Sequence, residues 1–506
     1  MRDLLDDAAQ RATRYLEGIT ARQVVPTPNA LAGLAAFDTA LPEAPRSAAE
    51  TLRELLSAAA ERAIRYLESL DGRSVAPSTR AVAALAQLDE PLPEGPSDPA
   101  AVLAALDDLG SPATMAMAGR RFFGWVIGGS LPATVAANWL TAAWDQNAAG
   151  WQSSPAAAAF EQVAQRWLLD ALGLPPDCAA GFVTGATMAN FSALAAARHA
   201  VLQRVGWQVE ADGLFGAPPI TVVIGEEAHP TLIKSLGLLG LGRKRVLRVP
   251  VDAQGRMRAE RLPALSGPAI VCIQAGNINT GAFDPFEPII AQAHAHGAWV
   301  HVDGAFGLWA ATSPALRPLT TGVEQADSWA TDAHKWLNVP YDSGLAFVRD
   351  GDALRAAMAI SADYLPTLSP HRNPSDYTPE LSRRARGVDI WAALHTLGRS
   401  GVADLVERCC RHARRFAAEL AAAGATILNE VVLNQVLVRF GDADTTRHVI
   451  ADLQADGTCW CGITQWQGQT AMRISVSSWA TGDEDVSLSL AAMRRIMARH
   501  GIGPGG

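Results

Sequence analysis

The sequence predicts an α/β protein built on a mainly parallel sheet with helices on both faces. Three observations predict it. Residues 111–395 alternate short apolar, β-rich runs with helical patterns, as crossover-connected strands do. One run, Gly181-Phe-Val, passes through a small-residue turn, Thr184-Gly-Ala-Thr187, into a helical stretch that continues past Ala197. Two further runs deliver charged residues into turns: Ala298-Trp-Val-His-Val leads to Asp303, and Asp327-Ser-Trp-Ala-Thr leads to Asp332-Ala-His-Lys335. Asp303 and Lys335 are 32 residues apart, which leaves room for one more crossover in such a sheet. Ligands of these sheets bind beyond the C-terminal strand ends.

Taken in order, the chain opens with an internal repeat. Leu4-Leu-Asp-Asp-Ala-Ala-Gln-Arg-Ala-Thr-Arg-Tyr-Leu-Glu17 recurs as Leu55-Leu-Ser-Ala-Ala-Ala-Glu-Arg-Ala-Ile-Arg-Tyr-Leu-Glu68, and the offset of 51 holds through Arg22/Arg73, Pro26/Pro77 and Leu41/Leu92. Two copies are too few for a solenoid. Each copy predicts an amphipathic helix, an Arg-x-Val-x-Pro turn, a second short helix and a Leu-Pro-Glu-x-Pro stop. Strands are expected at Gly181-Phe-Val, Thr221-Val-Val-Ile, Ala269-Ile-Val-Cys-Ile, Ala298-Trp-Val-His-Val and Leu345-Ala-Phe-Val. From about Asp389 a helical stretch leads into a smaller α+β domain with a helix over residues 402–422 and strands over 434–440 and 472–476. Four segments follow: residues 1–50, an extra N-terminal helical copy; 51–110, an arm; 111–395, the large domain; and 396–506, the small domain.

Composition narrows the function. Apolar residues make up 49% of the 506 positions, enough for a sizeable core and against global disorder. A net charge of −9 without a long basic run argues against nucleic acid or an anionic membrane surface as a partner. The acidic start, Met-Arg-Asp-Leu-Leu-Asp-Asp, lacks the pattern of a signal peptide, and glycines, Pro132 and Asn138 break the apolar region over residues 122–144. The six cysteines form no metal or disulfide framework, since Cys459-Trp-Cys461 is too closely spaced for a zinc site. A reducing, cytoplasmic compartment is expected.

Lysine is costly to bury as an ammonium, and a lysine held partly neutral attacks carbonyls. Lys335, beside His334 and two tryptophans, is the candidate. The turn at Gly185, Ala186 and Thr187 opens a helix whose free N–H groups and positive dipole end suit a phosphate dianion.

His-Val-Asp-Gly-Ala305 followed by Asp-Ala-His-Lys-Trp336 resembles the group II pyridoxal-phosphate-dependent decarboxylases, the family of the aromatic-amino-acid, histidine and glutamate decarboxylases. The resemblance runs from about residue 55 to the C-terminus. It implies an aspartate-aminotransferase-like fold (fold type I), a homodimer in which residues 51–110 form the dimerisation arm, and pyridoxal 5′-phosphate carried as a Schiff base on Lys335. It assigns Asp303 to the ring nitrogen, Gly185, Ala186 and Thr187 to the phosphate, and His229 to stacking on the ring. Ala305, Ser328 and His334 become further cofactor or substrate contacts. Asp332 stands where the family often has asparagine, and a carboxylate there is unfavourable beside the phosphate unless it points away. In Gly276-Asn-Ile-Asn-Thr-Gly281 asparagines replace family threonines, which unsettles the polar contacts near the ring. Trp125 and Asn147 fall where the family lines its substrate pocket, partly from the neighbouring subunit, and here the wall is roomier and more polar than for an aromatic substrate. Arg473 is either a carboxylate anchor or a structural strand arginine. Tyr364, 29 residues after Lys335, matches the loop tyrosine that protonates Cα after CO₂ departs. The expected reaction is decarboxylation of an L-amino acid to its amine. Its alternatives are aldehyde formation by oxidative deamination, another reaction of the same cofactor, and a catalytically silent dimeric scaffold.

Overall fold

The computed structural model describes residues 9–14, 48–360 and 371–503, together with Asp6 and Glu17. Most of the expected extra copy, residues 1–50, lies outside the described residues, and so does Tyr364. Within the second copy, helix α1 (Ala48–Ser69) buries Ala60 and Ile64, one turn apart, and Leu70 just beyond it joins an apolar cluster with Val75, Ala116, Phe122 and Ile127. The Arg-x-Val-x-Pro turn has a definite task. Arg73 donates to the carbonyls of Ser111 and Thr114, while Val75 donates to Gly457 and accepts from Ala116. The turn thus ties the arm to the C-terminal domain. Ser78 then caps the short helix Thr79–Ala84 by accepting from Ala81, as N-cap serines do.

The central sheet holds β1 (Ala179–Val183), β2 (Thr221–Gly225), β3 (Leu247–Val249), β4 (Ala269–Gln274), β5 (Trp299–Asp303), β6 (Ser328–Asp332) and β7 (Gly344–Val348), in the order β1-β7-β6-β5-β4-β2-β3. β7 alone runs antiparallel to its neighbours; β2 to β6 pair in parallel. Almost every residue of these strands except β3 is buried, which explains their continuous apolar runs. Alternation still sorts β5. Val300 and Val302 join the core on one face, while Trp299 packs with the inner side chains of helix α2 (Ala186–Gln203) on the other. His301 and Asp303 share that second face, by the period of two.

The C-terminal domain carries β8 (Thr426–Ile427), β9 (Gln435–Arg439), β10 (Gly462–Trp466) and β11 (Gln469–Ser475) in the antiparallel order β10-β11-β9-β8. A helix over Arg386–Ala422 joins the two domains. The domain boundary expected at residue 395 falls inside it, beside a kink at Gly398 (φ 61°), where glycine adopts the left-handed conformation at least cost. One apolar core runs through both domains. Among the described residues no helix is long and apolar enough to cross a membrane, and all six cysteines are free and buried.

A buried charge cluster fixes the chain from Arg372 to Arg383. Glu161 accepts from Arg372 at 2.7 Å and from Arg383 at 2.8 Å. Arg383 also donates to the carbonyls of Ala148 and Phe182, and Arg372 to that of Ala180. Removing one partner of a buried pair leaves the other charge uncompensated, which costs more than the pair contributes. Arg383→Ala should therefore lower unfolding free energy by about 3 kcal/mol. Urea denaturation checks this, and a loss within error of zero would show that Arg372 alone satisfies Glu161.

Candidate active site

Every strand end that faces the candidate site lies on one edge of the sheet. β1 runs out through Gly185 into α2, β2 into His229, β5 into Asp303 and β6 into the Asp332–Lys335 turn. β7 enters from the same edge, and its first residue, Gly344, pairs with both Val183 and Asp332. A Cβ on Gly344 would lie 2.4 Å from the Cα of Gly185, and one on Gly185 would lie 3.1 Å from the His334 ring. The glycines let the small-residue turn and the lysine turn meet.

Asp332 sits at the centre of that meeting. Its Oδ1 accepts from the Ala186 N–H at 2.6 Å, at the first turn of α2, where unpaired donors and the helix dipole favour an anion. Its Oδ2 lies 3.1 Å from Lys335 Nζ, and Oδ1 lies 3.5 Å from His334 Nε2. The carboxylate points into the turn, the orientation that is unfavourable beside a phosphate. A short backbone donor and Lys335 Nζ draw it in. His334 Nδ1 accepts from the Ser343 N–H at 3.0 Å, which places the proton of the neutral ring on Nε2, facing Asp332. Tyr341 stacks on that ring at 4.3 Å, and burial pushes the His334 pKa down. Thr187 contributes its carbonyl, which accepts from Ser235 and binds the turn to helix α3 (Pro230–Leu238).

Asp303 is buried at the end of β5. Its donors are weak: the Ala305 N–H and the Asn190 amide, each at 3.3 Å. Ala305 links the two acids, since its carbonyl accepts from the Asp332 N–H at 2.9 Å. Burial pushes the Asp303 carboxyl above the usual range, against the pull of His229 and Lys335. His229 caps α3. Its Nδ1 accepts from the Thr231 N–H and lies 2.6 Å from the Thr231 hydroxyl, leaving Nε2–H to face the site. Burial holds its pKa down, with Lys335 and Arg473 acting in the same direction.

Other expected residues are placed differently. Ser328 is corrected: it opens β6, four residues before the ligand edge, and its hydroxyl is engaged by Trp299 and His301, so it does not face the cofactor. Asn147 accepts from the Arg383 N–H and donates to Ser382, and none of these partners belongs to the Lys335 cluster. Trp125 lies half-exposed against Trp460, ring centroids 4.6 Å apart. Its loop touches the lysine turn three residues on, where a Cβ on Gly128 would lie 2.0 Å from the Lys335 carbonyl. Asn277 accepts from the Asn279 and Thr280 N–H groups and so serves its own loop. The Arg473 side chain has no hydrogen-bond or ion-pair partner among the described residues. Burial lowers its pKa to about 10, so it remains a cation.

This donor set fits pyridoxal phosphate at three points and conflicts at one. Asp303 is a buried carboxylate short of a cationic partner, as a protonated ring nitrogen would be. The helix entry already seats an anionic oxygen in a cradle that side chains on Gly185 or Gly344 would fill. Lys335 stands on the same edge, with the Phe306 ring 6.0 Å from its Nζ. The conflict is Asp332, whose carboxylate holds the N–H that a phosphate would take. Asn190, His301 and Tyr341 were not foreseen as site residues. A signal for His301 was present in the alternation of Trp299, His301 and Asp303.

Residues 84–440 match the pyridoxal-dependent decarboxylase conserved domain. Tryptophan decarboxylase 1 of Oryza sativa subsp. japonica is 29% identical over 309 residues, 56% of this chain and 59% of the relative. The 4-hydroxyphenylacetaldehyde synthase of Rhodiola rosea is 30% identical over 274 residues, 51% and 54% of the two chains. An acidic amino acid decarboxylase of Bos taurus is 27% identical over 313 residues, 59% of each. The chain thus spans less than two thirds of these relatives' length. The fold is that of Oryza sativa TDC, solved with PLP and tryptamine: TM-score 0.82 at 22% identity, covering 90% of this chain and 99% of that one.

Asp332→Asn keeps a side-chain acceptor for the Ala186 N–H and removes the negative charge. Titration of the apoprotein with pyridoxal phosphate should show affinity tightened about tenfold, since like charges a few ångströms apart repel by more than 1 kcal/mol at intermediate dielectric. Weaker binding in the variant would mean that the carboxylate supports the cofactor instead of competing with its phosphate.

Proposed function

The chain belongs to the pyridoxal-dependent decarboxylase family, and on that premise we propose that it removes the α-carboxylate of an L-amino acid as CO₂ and releases the amine. The observation that carries this reading is the convergence of Lys335, Asp303, His229 and the Ala186 N–H from four separate strand ends on one edge of the sheet.

Each residue has a role that its surroundings support. Lys335, on the ligand edge beside Asp332, would hold the cofactor's aldehyde through its side-chain amine. Asp303 would pair with the ring nitrogen, and the N–H groups at Ala186 would hold the phosphate. Bound pyridoxal phosphate supplies the sink for the electron pair left at Cα when CO₂ departs. His229, held neutral with its proton on Nε2, presents a flat face and one donor to the substrate. Arg473 offers an unpaired guanidinium on the His229 side of the site and receives a substrate carboxylate. Tyr364, outside the described residues, donates the proton that Cα gains, so that one amino acid and one proton yield one amine and one CO₂.

The active unit in this reading is a homodimer. Val82, Leu88, Leu92, Val102 and Leu106 of the arm are exposed in the single chain, an apolar surface that a second copy would cover. The free cysteines suit a reducing compartment, the cytoplasm. Aldehyde formation is the second reading, favoured by the likeness to the Rhodiola rosea synthase.

One panel of amino acids, scored for CO₂, ammonia and hydrogen peroxide, separates the two readings. Decarboxylation yields CO₂ without peroxide, while aldehyde formation consumes oxygen and yields all three. Borohydride should fix the cofactor to the peptide bearing Lys335, and Lys335→Ala should abolish that label. Attachment at Lys234 or Lys244 would sink the assignment. Tyr364→Phe should cut amine release by ~10²-fold or more with cofactor binding intact; normal amine output from this variant would remove Tyr364 from the mechanism.

A further inference from the structure

Behind Asp303 runs a line of buried hydrogen bonds that the reaction above does not use. The indole N–H of Trp299 donates to the Ser328 hydroxyl at 2.8 Å. That hydroxyl lies 2.9 Å from His301 Nδ1. His301 Nε2 lies 2.8 Å from the Asn190 carbonyl oxygen, and the Asn190 amide nitrogen lies 3.3 Å from Asp303 Oδ2. All five residues are buried. The strand pleat explains how they meet. Trp299, His301 and Asp303 lie at i, i+2 and i+4 on one face of β5, and His301 is paired with Ser328 across the ladder. Two residues along a strand span about 7 Å, too far for a direct bond between His301 and Asp303. Asn190, in the first turns of α2, fills that gap.

With Asp303 ionised, the donors have one consistent order. An indole can only donate, so the Ser328 oxygen accepts there and turns its own proton to His301 Nδ1. The ring then carries its proton on Nε2 and gives it to the Asn190 carbonyl, which leaves the amide N–H₂ for Asp303. Reversing the amide would set a carbonyl oxygen against a carboxylate. Burial pushes the His301 pKa down to about 3, so the ring stays neutral and brings no competing cation to Asp303. Each donor–acceptor step polarises the next in the same sense, toward the carboxylate.

We propose that Ser328, His301 and Asn190 are positioning residues, a one-way line of donors that holds the Asp303 carboxylate ionised and aimed at the cofactor's ring nitrogen. The proposal rests on the cofactor reading above but not on which reaction follows. It differs from a merely structural role in one consequence: the line matters only to a ligand that has the ring nitrogen.

The test compares two ligands on the full-length apoprotein, pyridoxal phosphate and its analogue with C–H in place of the ring nitrogen. Asn190→Ala removes the donor that touches Asp303, and Ser328→Ala removes the far end without disturbing the edge of the sheet. Hydrogen bonds to charged groups convert to about tenfold or more in affinity, so Asn190→Ala should weaken pyridoxal phosphate by at least that factor. Ser328→Ala should weaken it less, and Ser328→Thr, which keeps the hydroxyl, should bind as the wild type does. Affinity for the analogue should be unchanged throughout. Equal losses for both ligands, or no loss for pyridoxal phosphate, would overturn the proposal. If the wild-type chain fails to bind pyridoxal phosphate at all, the cofactor reading falls and takes the relay with it. A chain that binds it yet decarboxylates nothing leaves the relay standing and overturns only the reaction.

Discussion

The site depends on Gly344 being able to pair with two strands at once while touching a third segment. Its partners are Val183 on one side and Asp332 on the other, and its Cα packs on Gly185. β1 and β6 are 149 residues apart at those two positions, so nothing local brings their ends together. An antiparallel β7 between them does, because its entry lies on the edge where the parallel strands leave. Any side chain at residue 344 would meet backbone, which cannot shift as the end of a flexible side chain can. The anion-seating turn and the lysine turn are therefore adjacent through glycine packing as much as through hydrogen bonding.

Charge balance at this edge is unusual for a site that must take a phosphate. Two buried carboxylates, Asp303 and Asp332, face Lys335, His229 and Arg473, and burial keeps His229 toward its neutral form. Asp332 is the best satisfied of these groups, with a 2.6 Å backbone donor and an ammonium at 3.1 Å. Asp303 is among the least satisfied. A cationic ring nitrogen improves the second situation, whereas a phosphate dianion worsens the first. The two ends of the cofactor thus meet opposite welcomes, and the asparagine common in the family at residue 332 would remove the conflict.

Much of this was legible before any coordinates. Continuous apolar runs located five central strands because both sheet faces are covered, and the residues at the strand ends named the edge. What escaped was whatever depends on register. Ser328 and Asp332 are four residues apart on one strand, and only the pairing of His301 with Ser328 shows that the serine lies behind the site and the aspartate within it. The direction of β7 was equally hidden, since an apolar strand reads alike in either direction. The sequence left the direction of the Asp332 carboxylate open; Lys335 and the Ala186 N–H draw it to the helix entry. The helix over Arg386–Ala422 carries the chain from one domain to the other without a break, since Gly398 kinks it without ending it. Asn190 gave no signal, because an asparagine in an alanine-rich helix looks the same whether it faces solvent or a carboxylate.

The two domains share the site through one asparagine. Asn338 lies three residues beyond Lys335 with φ 54°, a conformation that asparagine tolerates better than most residues. Its amide donates to the Trp336 carbonyl at 2.9 Å and the Ser477 carbonyl at 3.1 Å, and its oxygen accepts from the Trp479 N–H at 2.9 Å. Its own carbonyl accepts from Leu131 at 2.8 Å, in the segment that carries Trp125. Ser477 follows the end of β11, four residues after Arg473. The lysine turn, the arginine strand and the Trp125 loop therefore meet at a single buried side chain and its carbonyl. Movement of the small domain relative to the sheet would have to break hydrogen bonds at Asn338 before it could alter the distance between Arg473 and Lys335. That places the arginine under the same geometric control as the lysine, although the two belong to different domains.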